Sequence, residues 1–299
     1  MGHKNKKSLV RQVQENLQEK LNRGVGTSKH LDKQTGSTGE KIYSFSTFQS
    51  YLKHNIQFAN YCKENYGCKT LADCRSHVDD YLHHRMSYCS SWTVKLDAAS
   101  IGKLYGESTT AFCHTNSRLR TDVVRSRGEK GMDRHFSEVR NSQLVEFCRS
   151  TGLRRSEVAA CRGSHLVKVD TPAGSSFHGV GIFVPNGKNG KSRIAPLCCS
   201  KEVADRIIQQ CKEAGDGKLF ERVHSAADIH SFRSEYSSNF YRAICPKDKN
   251  SIPPKNRYIC RGSDKAGVVY SRPHLRQVSA ALGHNRECVV ANSYLHDLK

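Results

Sequence analysis

The sequence predicts a mainly α chain with a small antiparallel β-sheet, an α+β arrangement in two parts. Three observations carry this. Apolar residues recur at helical spacing through most of residues 8–106 and again beyond residue 200. Runs rich in Val, Ile and Phe are confined to 165–169, 177–184 and 193–197. A Gly-, Arg- and Lys-rich stretch, 114–135, separates the two regions. At 299 residues, two domains of roughly 100–200 residues fit better than one.

Taken in order, Leu9, Val13, Leu17 and Leu21 form a narrow apolar stripe on a helix over 8–23, with Ser8 as its N-cap. Residues 24–41 are rich in Gly, Ser, Thr and Lys and read as a flexible linker. Ser44 or Ser46 opens a helix through Tyr61, with Phe48, Leu52, Ile56 and Ala59 near one side, and Asn65-Tyr66-Gly67 ends the next stretch. Helices over 71–85 and 91–105 complete a small all-helical domain, 42–113. The stretch 114–135 is extended and cationic; Arg118, Arg120, Arg125 and Arg127 suit a strap along a phosphate backbone. A third region, 136–299, begins with a helix from Ser137 to Ser150, stopped by Gly152, and a short helix at 155–161. The three strands follow, the last two joined by Asn186-Gly187-Lys188-Asn189-Gly190-Lys191, whose Asn-Gly pairs signal a hairpin turn. Helices resume at 201–214, 227–243, 273–283 and 286–293.

Lys+Arg total 48 against 28 Asp+Glu, a formal charge of +20, which points to a polyanionic partner, nucleic acid ahead of a membrane surface. With 36% hydrophobic residues and 7 prolines the chain is a folded one. No apolar run approaches the ~20 residues of a membrane span, and Met1–Lys7 lacks the apolar segment of a signal peptide behind it. The 13 cysteines are odd in number and contain no CxxC pair, so they read as reduced thiols in a cytoplasm and not as a zinc site.

Five short boxes carry candidate chemistry: Thr151-Gly152-Leu153-Arg154-Arg155-Ser156-Glu157; Lys188 with Lys191 and Arg193 on the hairpin; His230-Ser231-Phe232-Arg233, whose i, i+3 spacing puts His and Arg on one helix face; Leu282-Gly283-His284; and Tyr294. Taken singly, each is ordinary: surface arginines at a helix start, backbone-contacting lysines on a hairpin, a structural His–Arg pair, a histidine after a glycine cap. In this order, over residues 151–294, they resemble the active-site series of the tyrosine recombinases, the lambda integrase, Cre and Xer family. The helical stretch 44–106 resembles that family's core-binding domain less specifically.

The resemblance implies a C-shaped clamp of core-binding and catalytic domains on duplex DNA. Arg154 and Arg233 would hold the non-bridging oxygens of the scissile phosphate, a bidentate task suited to guanidinium forks. Lys188 would protonate the leaving 5′ oxygen, with Lys191 as the alternative acid. His230 would assist proton removal from the nucleophile, His284 would hydrogen-bond the phosphate, and Glu157 would orient the others. Tyr294 would form a 3′-phosphotyrosyl link. Lys191 and Arg193 would also contact the DNA backbone. The covalent link conserves the phosphodiester bond energy, so neither ATP nor a metal is implied. The implied activity is site-specific recombination or integration for a mobile genetic element such as a transposon, by a homotetramer on two DNA sites through a Holliday junction. An accessory DNA-bending or excision protein fits the same scheme, as does a bacterial or phage-encoded protein working on the nucleoid. The alternatives are a type IB topoisomerase or telomere resolvase with the same chemistry, and a catalytically idle DNA-binding regulator. Two departures stand out. His284 and Tyr294 are ten residues apart, one more than in commoner members, and only five residues follow Tyr294 where the family extends a further helix. The expectation is that helix 8–23 supplies inter-subunit packing instead.

Overall fold

A computed structural model of the chain describes residues 7–119, 135–172, 174, 176–187, 190–245, 248, 251–262 and 265–295. The chain divides into two compact units, Met1–Val123 and Val124–Lys299. No helix among the described residues is long and apolar enough to cross a membrane.

The first unit is all-helical: α1 (Leu9–Gly24), α2 (Lys29–Gln34), α3 (Phe45–Tyr66), α4 (Leu71–Arg75), α5 (Val78–Met86) and α6 (Ser91–Tyr105). Side-chain oxygens of Ser8, Ser28, Ser44, Thr70 and Ser90 cap α1, α2, α3, α4 and α6, each satisfying one of the amide donors that a helix start leaves open. Two expectations are corrected here. The stripe of α1 is not held out for another subunit: Leu9, Val13, Leu17 and Leu21 are buried in one core with Phe48, Phe58, Val94 and Ile101 of the same unit. The stretch 24–41 is not an unstructured linker. It folds into α2 and a short 3-10 turn around Asp32, which accepts from Lys41, Tyr43 and Ser37, and the Ile42 amide then donates to Lys20 O of α1. A sequence stripe records that a face is buried and is silent about which molecule buries it. Leu17→Ala is therefore expected to destabilise the monomer by about 2–5 kcal/mol, measured by urea unfolding monitored by circular dichroism. An unchanged midpoint would restore α1 to an intermolecular role.

The expected helix 71–85 is interrupted at Ser76. The Ser76 hydroxyl donates back to Asp73 O, competing with the helical ladder, and the chain restarts at Val78.

The second unit contains α7 (Ser142–Thr151), α8 (Arg155–Ala159), β1 (Leu166–Lys168), β2 (Phe177–Val184), β3 (Arg193–Cys198), α9 (Lys201–Ala214), α10 (Ile229–Ile244), β4 (Arg257–Ile259), β5 (Val269–Ser271), α11 (Arg272–Ala281) and α12 (Glu287–Ser293). The expected three-stranded sheet forms in the antiparallel order β1-β2-β3. The first helix begins later than Ser137. Ser137 instead closes a preceding turn: its Oγ accepts from Arg140 N, and its carbonyl accepts from the Asn141 side-chain amide. The β4–β5 ladder, made of two three-residue strands, was not anticipated.

Two cores result. One joins α7, the sheet and α9 through Phe147, Leu153, Ile182, Leu197 and Ile207. The other joins α10, α11 and α12 through Tyr236, Phe240, Leu275, Val278 and Val290. Arg233, Leu282 and Tyr294 lie on these last three helices or at their ends.

Candidate active site

Apart from the hairpin, each box of the sequence lies at the end or on the face of a helix. Gly152 is the C-cap of α7, Leu282 the C-cap of α11, and Tyr294 the C-cap of α12. A helix C-terminus leaves carbonyls without intrahelical donors and carries partial negative charge. Arg233, on α10 and only 2% exposed, faces all three ends. Its Nη1 donates to Gly152 O, its Nη2 to Leu282 O, and its Nε to the Tyr294 hydroxyl at 3.2 Å. One guanidinium thus ties together the ends of the three helices that bear the boxes. Burial pulls its pKa below the ordinary arginine value, an effect to which neighbouring Arg154 and Arg193 add.

The two glycines in the boxes have steric reasons. Gly152 has φ +60°, and a Cβ there would stand 2.3 Å from the Tyr236 ring. Gly283 has φ +69°, and a Cβ would stand 2.9 Å from the Arg193 side chain. The tight path after Gly283 lets the His284 amide donate to Ser279 O at 2.8 Å, while Ser279 Oγ donates to His284 O at 3.0 Å.

His284 Nε2 is therefore held 3.3 Å from Arg233 Nη2, 3.5 Å from Arg154 Nη2 and 3.3 Å from the Tyr294 hydroxyl. Guanidinium groups only donate, so Nε2 is the acceptor and the imidazole proton belongs on Nδ1. The phenol oxygen lies between a donor, Arg233 Nε, and an acceptor, His284 Nε2. His230 borders the same phenol, its ring centroid 5.3 Å from that of Tyr294. Arg154, Arg155, His230, Arg233 and Tyr294 line one cavity of about 370 Å³. The Arg154 side chain is 21% exposed, so this guanidinium meets solvent more openly than Arg233 does.

Glu157 fixes Arg154 from behind. Its carboxylate accepts from the Arg154 amide (2.7 Å) and Arg154 Nη1 (2.8 Å), and from Arg193 Nη1 and Nη2 at 2.9 and 2.6 Å. Burial alone would raise this carboxyl. The hydrogen bonds and charges of Arg193 and Arg154 prevail and hold it at about 2. A pKa depressed from 4.5 in the folded state contributes stability that is complete above about 4.5 and is lost as pH falls toward 2. The contribution is on the order of 3 kcal/mol. Glu157→Gln is expected to remove it and to flatten the stability profile between those pH values, as read from urea midpoints across the acid range.

Arg193 requires a correction. Expected on the hairpin as a DNA-backbone contact, it turns inward: besides Glu157 it donates through Nε to Ala281 O at 2.9 Å, and its side chain is 8% exposed. The signal was present in the strand alternation, since Arg193 shares parity with buried Ala195 and Leu197. Lys191 is exposed at the start of the returning strand, and Arg118 is exposed in the first unit. Lys188, Arg120, Arg125 and Arg127 lie outside the described residues. Sequence reading placed Arg155 in the first box without a role of its own; its guanidinium donates to His224 O and Ala227 O and pins the chain entering α10. It missed Ser234, whose hydroxyl donates to Tyr294 O.

No protein-family model and no curated protein matches the chain. Among solved structures, it is similar to the XerH site-specific recombinase bound to palindromic difH substrate, a post-cleavage complex. The TM-score is 0.51 at 13% identity, covering 97% of this chain and 91% of the other. A pre-cleavage complex of XerH with difH gives a TM-score of 0.48 at 12% identity, with coverage of 97% and 92%. The likeness is one of fold: a mostly helical chain with small antiparallel sheets, matching a tyrosine-recombinase fold.

Proposed function

We propose that this chain is a tyrosine-type site-specific DNA recombinase, serving the integration or movement of a mobile element. The observation that carries the reading is the Tyr294 hydroxyl, held between Arg233 Nε and His284 Nε2 at the wall of a cavity that Arg154 also lines. A phenol beside two guanidinium groups suits attack on a phosphodiester, because the arginines stabilise the charge that accumulates on the pentacoordinate phosphorus. The Tyr294 oxygen bonds to phosphorus, the bond to the 5′ oxygen breaks, and a 3′-phosphotyrosyl link remains. The phenol proton passes to an imidazole: His230, which the resemblance gives that task, borders the phenol, and His284, which the resemblance gives to the phosphate, has Nε2 3.3 Å from the phenol oxygen and is the alternative acceptor. The leaving 5′ oxygen takes its proton from a hairpin lysine, Lys188 in the family resemblance, with Lys191 as the alternative. Attack by a 5′ hydroxyl from a second duplex reverses the step and exchanges strands. Four subunits on two sites complete the exchange through a Holliday junction. In this reading the helical unit, α1 included, is the core-binding domain.

The XerH structure bound to difH substrate after cleavage supports DNA as the partner, and the formal charge of +20 agrees. The test is a set of duplexes tiling the DNA that flanks the encoding gene, each nicked at successive positions so that a cut releases a short 5′-hydroxyl fragment and traps the enzyme. Adducts that survive SDS, concentrate at one sequence and map to the peptide containing Tyr294 are expected. Binding to the same DNA without any adduct would mean a regulator on this scaffold. Sequence-independent adducts with relaxation of supercoiled plasmid would mean a topoisomerase.

A further inference from the structure

The loop between β4 and β5 contains a buried cation that none of the boxes includes. Lys265 is 7% exposed, and its Nζ donates to Ala291 O and to Leu295 O, each at 2.6 Å. These carbonyls bracket Tyr294: one belongs to the last turn of α12 and the other to the residue after the tyrosine. The Tyr270 hydroxyl donates to the same Leu295 carbonyl at 3.2 Å, and the Lys265 ammonium lies 6.0 Å from the centroid of the Tyr270 ring.

The loop presenting this amine is itself framed. Lys265 N donates to Gly262 O, Val268 N to Lys265 O, and Gly267 N to Cys260 O. At the other end of β5, Ser271 N donates to the hydroxyl of Tyr241 on α10 at 2.7 Å. The hairpin therefore references the backbone around Tyr294 to the helix that carries Arg233.

An ammonium is costly to bury, and here it meets the end of a helix whose terminal carbonyls lack donors. The Tyr294 and Leu295 amides both donate back to Val290 O, while the Ala291 and Leu295 carbonyls take Lys265 Nζ as a donor from outside the helix. Attack in line with a leaving group is sensitive to displacements of about an ångström. Resting on the recombinase reading, we infer that Lys265 is a positioning residue for Tyr294: its ammonium clamps the carbonyls on either side of the nucleophile and sets where the phenol oxygen lies relative to Arg233.

The experiment uses the full chain and a trapping duplex on which the unaltered protein forms its adduct. Single-turnover adduct formation at saturating DNA is measured for Lys265→Met and Lys265→Gln, with DNA affinity and hydrogen exchange of residues 290–295 measured alongside. The expected result is a rate constant lower by about 10- to 100-fold in Lys265→Met and less so in Lys265→Gln. DNA affinity should hold within about threefold, and exchange should quicken at 290–295 ahead of the rest of α11 and α12. An unchanged rate constant, measured well below a lowered melting temperature, would assign Lys265 to stability alone and overturn the inference. Should neither variant fold, Tyr270→Phe removes a donor from the same Leu295 carbonyl and keeps the amine; a several-fold slower adduct supports the clamp, and an unaltered rate counts against it. Failure of the unaltered protein to form any adduct is a separate result, which removes the recombinase reading and the inference with it.

Discussion

Tyr294→Phe is expected to lower the rate of covalent DNA capture by at least about 10⁴-fold, to below detection, because it removes the attacking atom. DNA affinity should stay within about threefold, since Arg154 and Arg233 remain. The hydroxyl also accepts from Arg233 Nε, so its loss leaves a buried guanidinium donor without that partner. A stability cost of about 1 kcal/mol follows. The paired measurement is adduct yield on a trapping duplex beside a urea unfolding curve. Adduct at an undiminished rate in the phenylalanine variant would place the nucleophile elsewhere. Tyr236, Tyr241 and Tyr270 share the apolar core with Tyr294 but differ in hydroxyl partners: Tyr236 donates to Pro196 O, Tyr270 to Leu295 O, and Tyr241 accepts from Ser271 N.

Arg233→Lys is expected to lower both catalysis and stability, although it keeps the charge. The guanidinium reaches Gly152 O, Leu282 O and the Tyr294 hydroxyl through three different nitrogens in one plane. An ammonium is a single point on a flexible stem and cannot span three helix ends at once. At least one buried carbonyl loses its donor, for a cost of about 2–4 kcal/mol in unfolding free energy. The adduct rate should fall by about 10²–10³-fold, because transition-state charge then meets one misplaced donor and not a preorganised fork. Unfolding curves and single-turnover rates on the same preparation check both. A lysine variant as stable as the parent would mean that the three helix ends are held together by apolar packing alone.

The two effects distinguish two roles at one site. In the proposed reaction Tyr294 would supply the attacking atom, and its replacement costs the scaffold little. Arg233 would supply charge and hydrogen bonds to the reaction, and it is also a tie between helix ends. Glu157 acts one step further out, fixing Arg154 and Arg193 through four hydrogen bonds.

Legible in the residues alone were the helices whose apolar period runs over several turns, the three-stranded sheet, and the candidate side chains Arg154, His230, Arg233, His284 and Tyr294. Those are local signals: a face repeats every few residues, and a reactive side chain is visible as a letter. Folding in three dimensions was needed to show that the α1 stripe closes onto its own unit, that Arg193 turns inward to Glu157, and that Lys265 grips the backbone on both sides of Tyr294. Each of these is a pairing between residues far apart in the chain. Lys265 lies 30 positions from Leu295, and Arg193 lies 36 from Glu157. Period and composition record that a group must be satisfied; which distant partner satisfies it is set by how the helix ends converge.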